Sequence, residues 1–303
     1  MSRVVVTGGA GRLGRSVVGA LVDAGHEVAS LDAVTLEGLP AEQERLDLLD
    51  ASATSAAFSR IRPDAVVHLA AIAVPGALPD PEIFRINTQL VFSVLQASLD
   101  AGAGSMLLAS SPTVMGYGAP RGWAPDYLPL DEAHPAAPWN GYGASKVAME
   151  TIVQMAVRQH GDRVRFGVFR PCYVIAPEEW EGAATQQGHT VEERLADPAL
   201  SAVALFNYVD ARDAGEFVAA WLAATGVPNG ATFFVGAPDA LYDGDTADAV
   251  RAHLPALAHI ADQLAGTASV FSSDRAAALL GWRATRLWRD QLVRHTPPLE
   301  ASR

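Results

Sequence analysis

Three glycines set between an apolar strand and an amphipathic helix constrain this 303-residue chain more than any other feature. Val4, Val5 and Val6 form a short apolar run ending at Thr7, and Gly8, Gly11 and Gly14 follow in a GxxGxxG spacing. From Arg12 to Ala24, Leu13, Val17, Leu21 and Val18, Val22 recur at helical intervals, and Gly25 stands where a helix would end. The next apolar run, Glu27 to Asp32, closes on an acid 18 residues beyond Gly14. Glycines alone describe a tight turn. With a strand before, a helix after and an acid at the next strand end, they describe a phosphate-cradling βαβ unit. The first glycine permits the turn, the second lets the backbone approach an anion, and the third lets helix and strand pack closely, with the N-terminus of the helix facing the anion. A dinucleotide is therefore expected, with Arg12 and Leu13 at the helix start and Asp32 accepting hydrogen bonds from ribose hydroxyls. A carboxylate at Asp32 repels a 2′-phosphate and Ala33 offers no cation, so NAD is expected over NADP, with Arg12 or Arg15 as the side chains able to hold a phosphate.

The pattern continues beyond this unit. A short strand is expected near Arg45 to Asp47, a helix near Ser52 to Arg60, and a buried strand over Ala65 to Leu69. A long helix follows over Pro81 to Ala101, then a strand over Ser105 to Ala109, a helix over Tyr142 to His160 and a strand over Val164 to Arg170. Short apolar strands alternating with helices predict an α/β fold, a Rossmann-type doubly wound parallel sheet covered on both faces. From Pro171 the pattern loosens. Pro177 to Pro198 is polar and loop-rich, a strand is expected near Thr232 to Val235, and helices follow Asp245 and Ser273. Residues 1–170 read as the dinucleotide-binding domain. Residues 171–303 read mainly as a small substrate-binding region interleaved with the sheet, with an exposed tail from His295. Asp47 and Leu48, past the third strand, are placed to contact adenine; a solvated loop acid is the competing reading of Asp47.

Composition narrows the class. Half the residues are hydrophobic and 18% are charged, as in a well-cored protein. A net charge of −12 repels polyanions, so neither nucleic acid nor an anionic membrane is expected as partner. No apolar run reaches the roughly 18 residues of a membrane span. The lone cysteine, Cys172, excludes an intrachain disulfide and suits a reducing cytoplasm. Scattered histidines without paired spacing give no reason to assign a metal.

Tyr142-Gly-Ala-Ser-Lys146 carries the chemistry. Residues four apart on a helix share a face, so phenol and ammonium point the same way. A nearby cation favours phenolate, which would fit Tyr142 to transfer a proton to or from a substrate oxygen. Lys146 is the only lysine in the chain.

Together these motifs resemble the extended short-chain dehydrogenase/reductases, in the NAD-dependent epimerase/dehydratase group. TGGAGRLG at Thr7–Gly14 is similar to the group's cofactor loop, and HLAA at His68–Ala71 to its fourth-strand motif. ASSPTVMG at Ala109–Gly116 is similar to the segment bearing the catalytic serine, and YGASK to YxxxK. Arg170-Pro171, YVDARD at Tyr208–Asp213 and LGW at Leu280–Trp282 resemble later motifs, in the right order. The resemblance implies that Ser111 hydrogen-bonds the reacting oxygen, with Ser110 the competing candidate, and that Tyr142 moves the proton while hydride is exchanged with nicotinamide. Lys146 would hold the nicotinamide ribose, and Leu69, Ala70 and Ala71 would lie beside the cofactor. Asn87 would steady the site or cap a turn. A homodimer through the helices near 81–101 and 142–160 is also implied.

Departures from the group narrow the reaction. Pro112 and Thr113 replace the acids of sugar 4,6-dehydratases, which disfavours dehydration. Tyr173 stands where nucleotide-sugar enzymes carry an Asn, and Phe206 and Asn207 where they carry the Arg that helps hold the diphosphate and the following Asp, so both familiar donors are missing and the substrate is expected to lack a nucleotide. HLAAI, the ASSxxxxGY pattern ending at Tyr117 and RHTPP resemble uronate dehydrogenases. For an acid substrate Arg170 or Arg212 could supply the cation, although both read more simply as structural ion-pair partners. Trp123, Tyr127, Trp139, Tyr173 and Trp180 could stack on a ring, or simply pack. The leading expectation is a net NAD-dependent oxidoreductase interconverting a secondary alcohol and a ketone on a sugar-like or other small hydroxylated substrate. An epimerase with tightly bound cofactor is the first alternative, and a non-catalytic NAD-binding protein the second.

Overall fold

The computed structural model describes residues 1–295, and the side chains of residues 1–292. Its centre is a seven-stranded, wholly parallel sheet in the order β3-β2-β1-β4-β5-β6-β9. The first half comprises β1 (Arg3–Thr7), α1 (Arg12–Asp23), β2 (Glu27–Asp32), β3 (Glu42–Arg45), α2 (Ala51–Ile61), β4 (Ala65–His68), α3 (Asp80–Asp100), β5 (Ser105–Ala109), α4 (Gly141–His160) and β6 (Arg165–Pro171). Then come β7 (Val174–Ile175), α5 (Pro177–Trp180), α6 (Val191–Ala196), α7 (Ala199–Ala202), β8 (Val209–Asp210), α8 (Ala211–Ala223), β9 (Ala231–Val235), α9 (Thr246–His253), α10 (Asp274–Leu280) and α11 (Trp288–His295).

Alternation along β1 sets the layers. Val4 and Val6 point into a core shared with α1 and α8, where Val17, Val18, Phe217 and Trp221 are buried. Val5 points the other way, among Phe58 of α2, Val91 and Val94 of α3, and Val153 of α4. Because both faces are covered, the strands read as continuous apolar runs. The order reverses between β1 and β4, and the ends of these strands open the crevice where such sheets bind ligands.

Most expected elements stand within a residue or two of their sequence positions. The third strand does not: it is Glu42–Arg45, pairing Asp32 with Arg45, not Arg45–Asp47. Its polar edge sequence carries no apolar signal. Pro177 to Pro198 contains α5 and α6 instead of loop alone. Helix α8 and the small parallel pair β7–β8 were not anticipated. β9 extends the main sheet from the C-terminal third and joins the edge of β6. The expected tail lies outside the described residues beyond His295.

Candidate active site

The glycine loop is built for close approach. Gly8 adopts φ +76, and a Cβ there would stand 2.8 Å from the Ala70 nitrogen. A Cβ on Gly14 would stand 2.1 Å from the Gly8 carbonyl oxygen, so any larger residue there would push α1 off β1. Gly11 is the N-cap of α1, and its nitrogen donates to the Gly8 oxygen at 3.2 Å. No side chain caps α1, which leaves the backbone N–H groups of its first turn, Arg12 and Leu13 included, facing the crevice as an anion cradle. Asp32 sits at the end of β2, where Oδ2 accepts from the Ala10 nitrogen at 3.0 Å and lone pairs remain for a ribose diol. Leu69 and Ala70 lie against Thr7, whose carbonyl accepts from the Leu69 nitrogen at 3.0 Å. Ala71 is half-buried just beyond. Leu48 is buried, while Asp47 is exposed and caps its own turn through the Leu49 nitrogen. This cradle fits a dinucleotide.

The side chains of Arg12 and Arg15 are spent elsewhere. Arg12 pairs with Glu179 and Arg15 with Glu178, both on α5. Neither guanidinium is free for a 2′-phosphate, and any pyrophosphate contact at Arg12 falls to its backbone.

Tyr142 and Lys146 lie in the first turns of α4, whose N-cap Asn140 accepts from the Gly143 nitrogen at 2.8 Å. Both are buried, and the ammonium stands 5.7 Å from the phenol ring centre. Lys146 Nζ donates to the Ala109 carbonyl at the end of β5 at 2.8 Å. Burial lowers its pKa to about 8, against the raising charge of Glu150. Burial pushes Tyr142 up to about 12, and the Ser111 hydroxyl beside it pulls the other way. The expected lowering of the phenol by Lys146 is thus outweighed here by desolvation, and Tyr142 stands as a proton donor at neutral pH.

The two serines point to different neighbours. Ser110 donates to Glu150 Oε1 at 2.6 Å, behind the site. Ser111 lies beside Tyr142 and is held by Thr113, whose nitrogen and hydroxyl donate to Ser111 Oγ at 3.2 and 3.0 Å. Glu150 also receives Arg170 through two bonds, 2.9 and 2.7 Å, so Arg170 is structural. Arg212 is likewise held, by both oxygens of the buried Asp210 at 2.9 and 2.5 Å. Neither offers a free cation.

Three buried polar residues support the site: Asn87, expected from the sequence to steady it or cap a turn, and His68 and Asn207, to which no such role was assigned. Asn87 joins the loop after β4 to α4: it accepts from the Ile72 nitrogen at 2.8 Å and donates to Ser145 Oγ at 3.0 Å. His68 contacts Thr7 Oγ1 at 2.8 Å, and burial, with the Lys146 charge, lowers its pKa to about 3. Asn207 Oδ1 accepts from the Tyr173 nitrogen at 2.7 Å, and its side chain lies beside the Tyr117 hydroxyl, which in turn lies close to Tyr142. Of these, only Asn87 carried a signal in the sequence, through its place in the helix after β4.

A strap over residues 183–189 crosses the crevice. Arg12 donates to the Ala184 oxygen at 3.4 Å, and Gln186 to the Ala73 oxygen at 3.3 Å, so the strap touches both rims. Among the aromatic residues, Trp180 is buried and bonds Asp210, and Tyr127 bonds Asp131, whereas Trp123 packs on Tyr117. Among the described residues no acid, His or Cys cluster is suited to a metal ion, and no helix is long and apolar enough to cross a membrane.

The model of the NAD dependent epimerase/dehydratase family matches residues 4–236. A UDP-glucose 4-epimerase of Azospirillum brasilense is 35% identical over 168 residues, covering 53% of this chain and 46% of its own length. The chain thus spans about half the length of the curated relatives it matches. The Thermotoga maritima UDP-glucose 4-epimerase, solved with UDP-glucose, superposes with TM-score 0.72 at 19% identity, covering 97% of this chain and 98% of that one. The Thermus thermophilus UDP-glucose 4-epimerase, solved with NAD, superposes with TM-score 0.68 at 26% identity over 97% and 98%.

Proposed function

Because the chain belongs to the NAD-dependent epimerase/dehydratase family, we propose that it is an NAD-dependent epimerase inverting a secondary alcohol carbon of a sugar-type substrate. The similarity of its N-terminal half to UDP-glucose 4-epimerases carries the reading. The strap that touches both rims of the crevice supports it, since a cofactor recycled within one substrate has no need to leave. The epimerase therefore stands ahead of the net oxidoreductase expected from the sequence.

In this reading the first turn of α1 and Asp32 hold NAD, with Gly8 and Gly14 giving it room, and Lys146 meets the nicotinamide ribose. NAD supplies the hydride acceptor and donor. Ser111 orients the reacting oxygen; Tyr142, resting as phenol, first gives its own proton to solvent, and the phenolate Oη then takes the substrate hydroxyl proton and later returns it. Lys146, charged below about pH 8, stabilises the Tyr142 phenolate that is to take the proton. Residues 171–303 shape the substrate side, and α3 and α4 pair with a second copy; Phe84 and Phe92 on α3 are exposed at 41% and 49%.

One observation favours a net dehydrogenase as the second reading. Phe206 is fully buried against Tyr242 and His253, so the position that carries a diphosphate-binding arginine in sugar-nucleotide enzymes offers no donor here. NMR of the protein with UDP-glucose or a free hexose decides between them. Interconversion of epimers without NADH accumulation, lost in Tyr142→Phe, is the expected result; stoichiometric NADH and a ketone product would move the assignment to the dehydrogenase.

A further inference from the structure

Among the described residues, Arg194 is shut away without a counter-charge. Arg194 on α6 is 1% exposed, and among the described residues it pairs with no carboxylate. Its Nη1 donates to the Gln187 side chain at 2.7 Å, and its guanidinium lies 4.3 Å over the ring of Tyr173. Its Nε is buried with no hydrogen-bond partner, and so is the hydroxyl of Tyr173. A buried guanidinium unmatched by an anion is unfavourable, because water is lost and nothing replaces it. Arg170, whose side chain is 6% exposed, and the more open Arg212 are each matched by a carboxylate. Two donors side by side, both unsatisfied, are what a missing oxyanion leaves behind.

The position is continuous with the reaction site. Tyr173 is tied through its nitrogen to Asn207, Asn207 lies beside the Tyr117 hydroxyl, and Tyr117 neighbours Tyr142. Gln187, which holds Arg194, belongs to the strap over the crevice, so the guanidinium is tied directly to the segment that spans the site. We infer that Arg194, with the Tyr173 hydroxyl, is the anion-recognising end of the substrate pocket, taking a phosphate, diphosphate or carboxylate group of a hydroxylated substrate whose reacting carbon lies at Tyr142. The inference rests on the proposed role of Tyr142 and Ser111 and adds the substrate's charge. It also assigns anion recognition to side chains outside the Phe206–Asn207 segment. A fork of N–H donors over an aromatic ring suits a planar or tetrahedral oxyanion better than a neutral hydroxyl.

The test measures binding of UDP, glucuronate and neutral methyl glucoside to the NAD-loaded protein by calorimetry, in wild type, Arg194→Gln, Arg194→Lys and Tyr173→Phe. One of the two anions is expected to bind, and Arg194→Gln to weaken it about tenfold or more. Arg194→Lys should retain part of that affinity and Tyr173→Phe lose a smaller share, with bound NAD unchanged in each as the check on folding. UDP as the responding ligand identifies a diphosphate source, and glucuronate a carboxylate. Failure of both anions to bind wild type, or equal binding by Arg194→Gln, overturns the inference. Epimerisation that persists unchanged in Arg194→Gln overturns it while leaving the proposed function standing. Anion binding through Arg194 without any epimerisation does the reverse.

Discussion

Tyr142, at the residue scale, shows burial competing with a neighbouring charge. Desolvation lifts the phenol to about 12 and drops Lys146 to about 8, so the pair rests as phenol and ammonium near neutrality. Tyr142→Phe removes the proton carrier without disturbing the glycine loop. Turnover should fall about 10²–10⁴-fold, with NAD retained, as seen by chromatography of the released nucleotide. His68 gives a stability prediction. Its pKa falls from 6.5 to about 3 on folding, so the folded state binds fewer protons in that window. Its contribution is complete above pH 6.5 and is lost as the pH drops toward 3, on the order of several kcal/mol in all. Urea titrations across this range should show a shallower pH dependence in His68→Gln than in wild type. These residues were legible in the sequence because their signals are local: three glycines in a turn, and a tyrosine and lysine four apart. Ser110 and Ser111 were not separable there, since their difference lies in Glu150, 40 residues away from Ser110.

Helix α4 does two jobs among the elements. Its first turns carry Tyr142 and Lys146, and one turn further Glu150 braces Ser110 and Arg170 at the ends of β5 and β6. Glu150→Gln leaves the side chain of Arg170, 6% exposed, without its counter-charge. The expected loss is about 3–5 kcal/mol in denaturant unfolding. The substitution also removes the charge that raises Lys146, so the alkaline limb of the activity profile should move to lower pH. Gly14→Ala places a methyl where the Gly8 oxygen and Gly9 already stand, and should abolish NAD binding before it unfolds the sheet; equilibrium dialysis with NAD reads this directly. Strands buried on both faces announced themselves as apolar runs. β3 did not, because an edge strand of Glu, Gln, Glu and Arg has no apolar face to read. The strap and α8 were equally silent: their partners, Ala73 and the α1 face, lie more than a hundred residues upstream.

For the whole molecule, α8 and β9 tie the C-terminal third into the Rossmann sheet, so a substrate side built from residues 171–303 would move against a frame it helps to form. The apolar residues left outside on α3 set the prediction for assembly. Phe92→Glu should shift sedimentation from dimer toward monomer while bound NAD stays constant, and a wild type already monomeric at all concentrations would remove the expected pairing. The sequence made the fold and the glycine cradle readable, but the order of the two functional readings turned only on similarity to known epimerases and on the closed crevice. The NAD content of freshly purified, desalted protein, measured alongside turnover with no cofactor added, tests that order most directly. About one NAD per chain with undiminished epimerisation is the predicted result. Empty protein that converts substrate only in proportion to added NAD, releasing NADH, would contradict it.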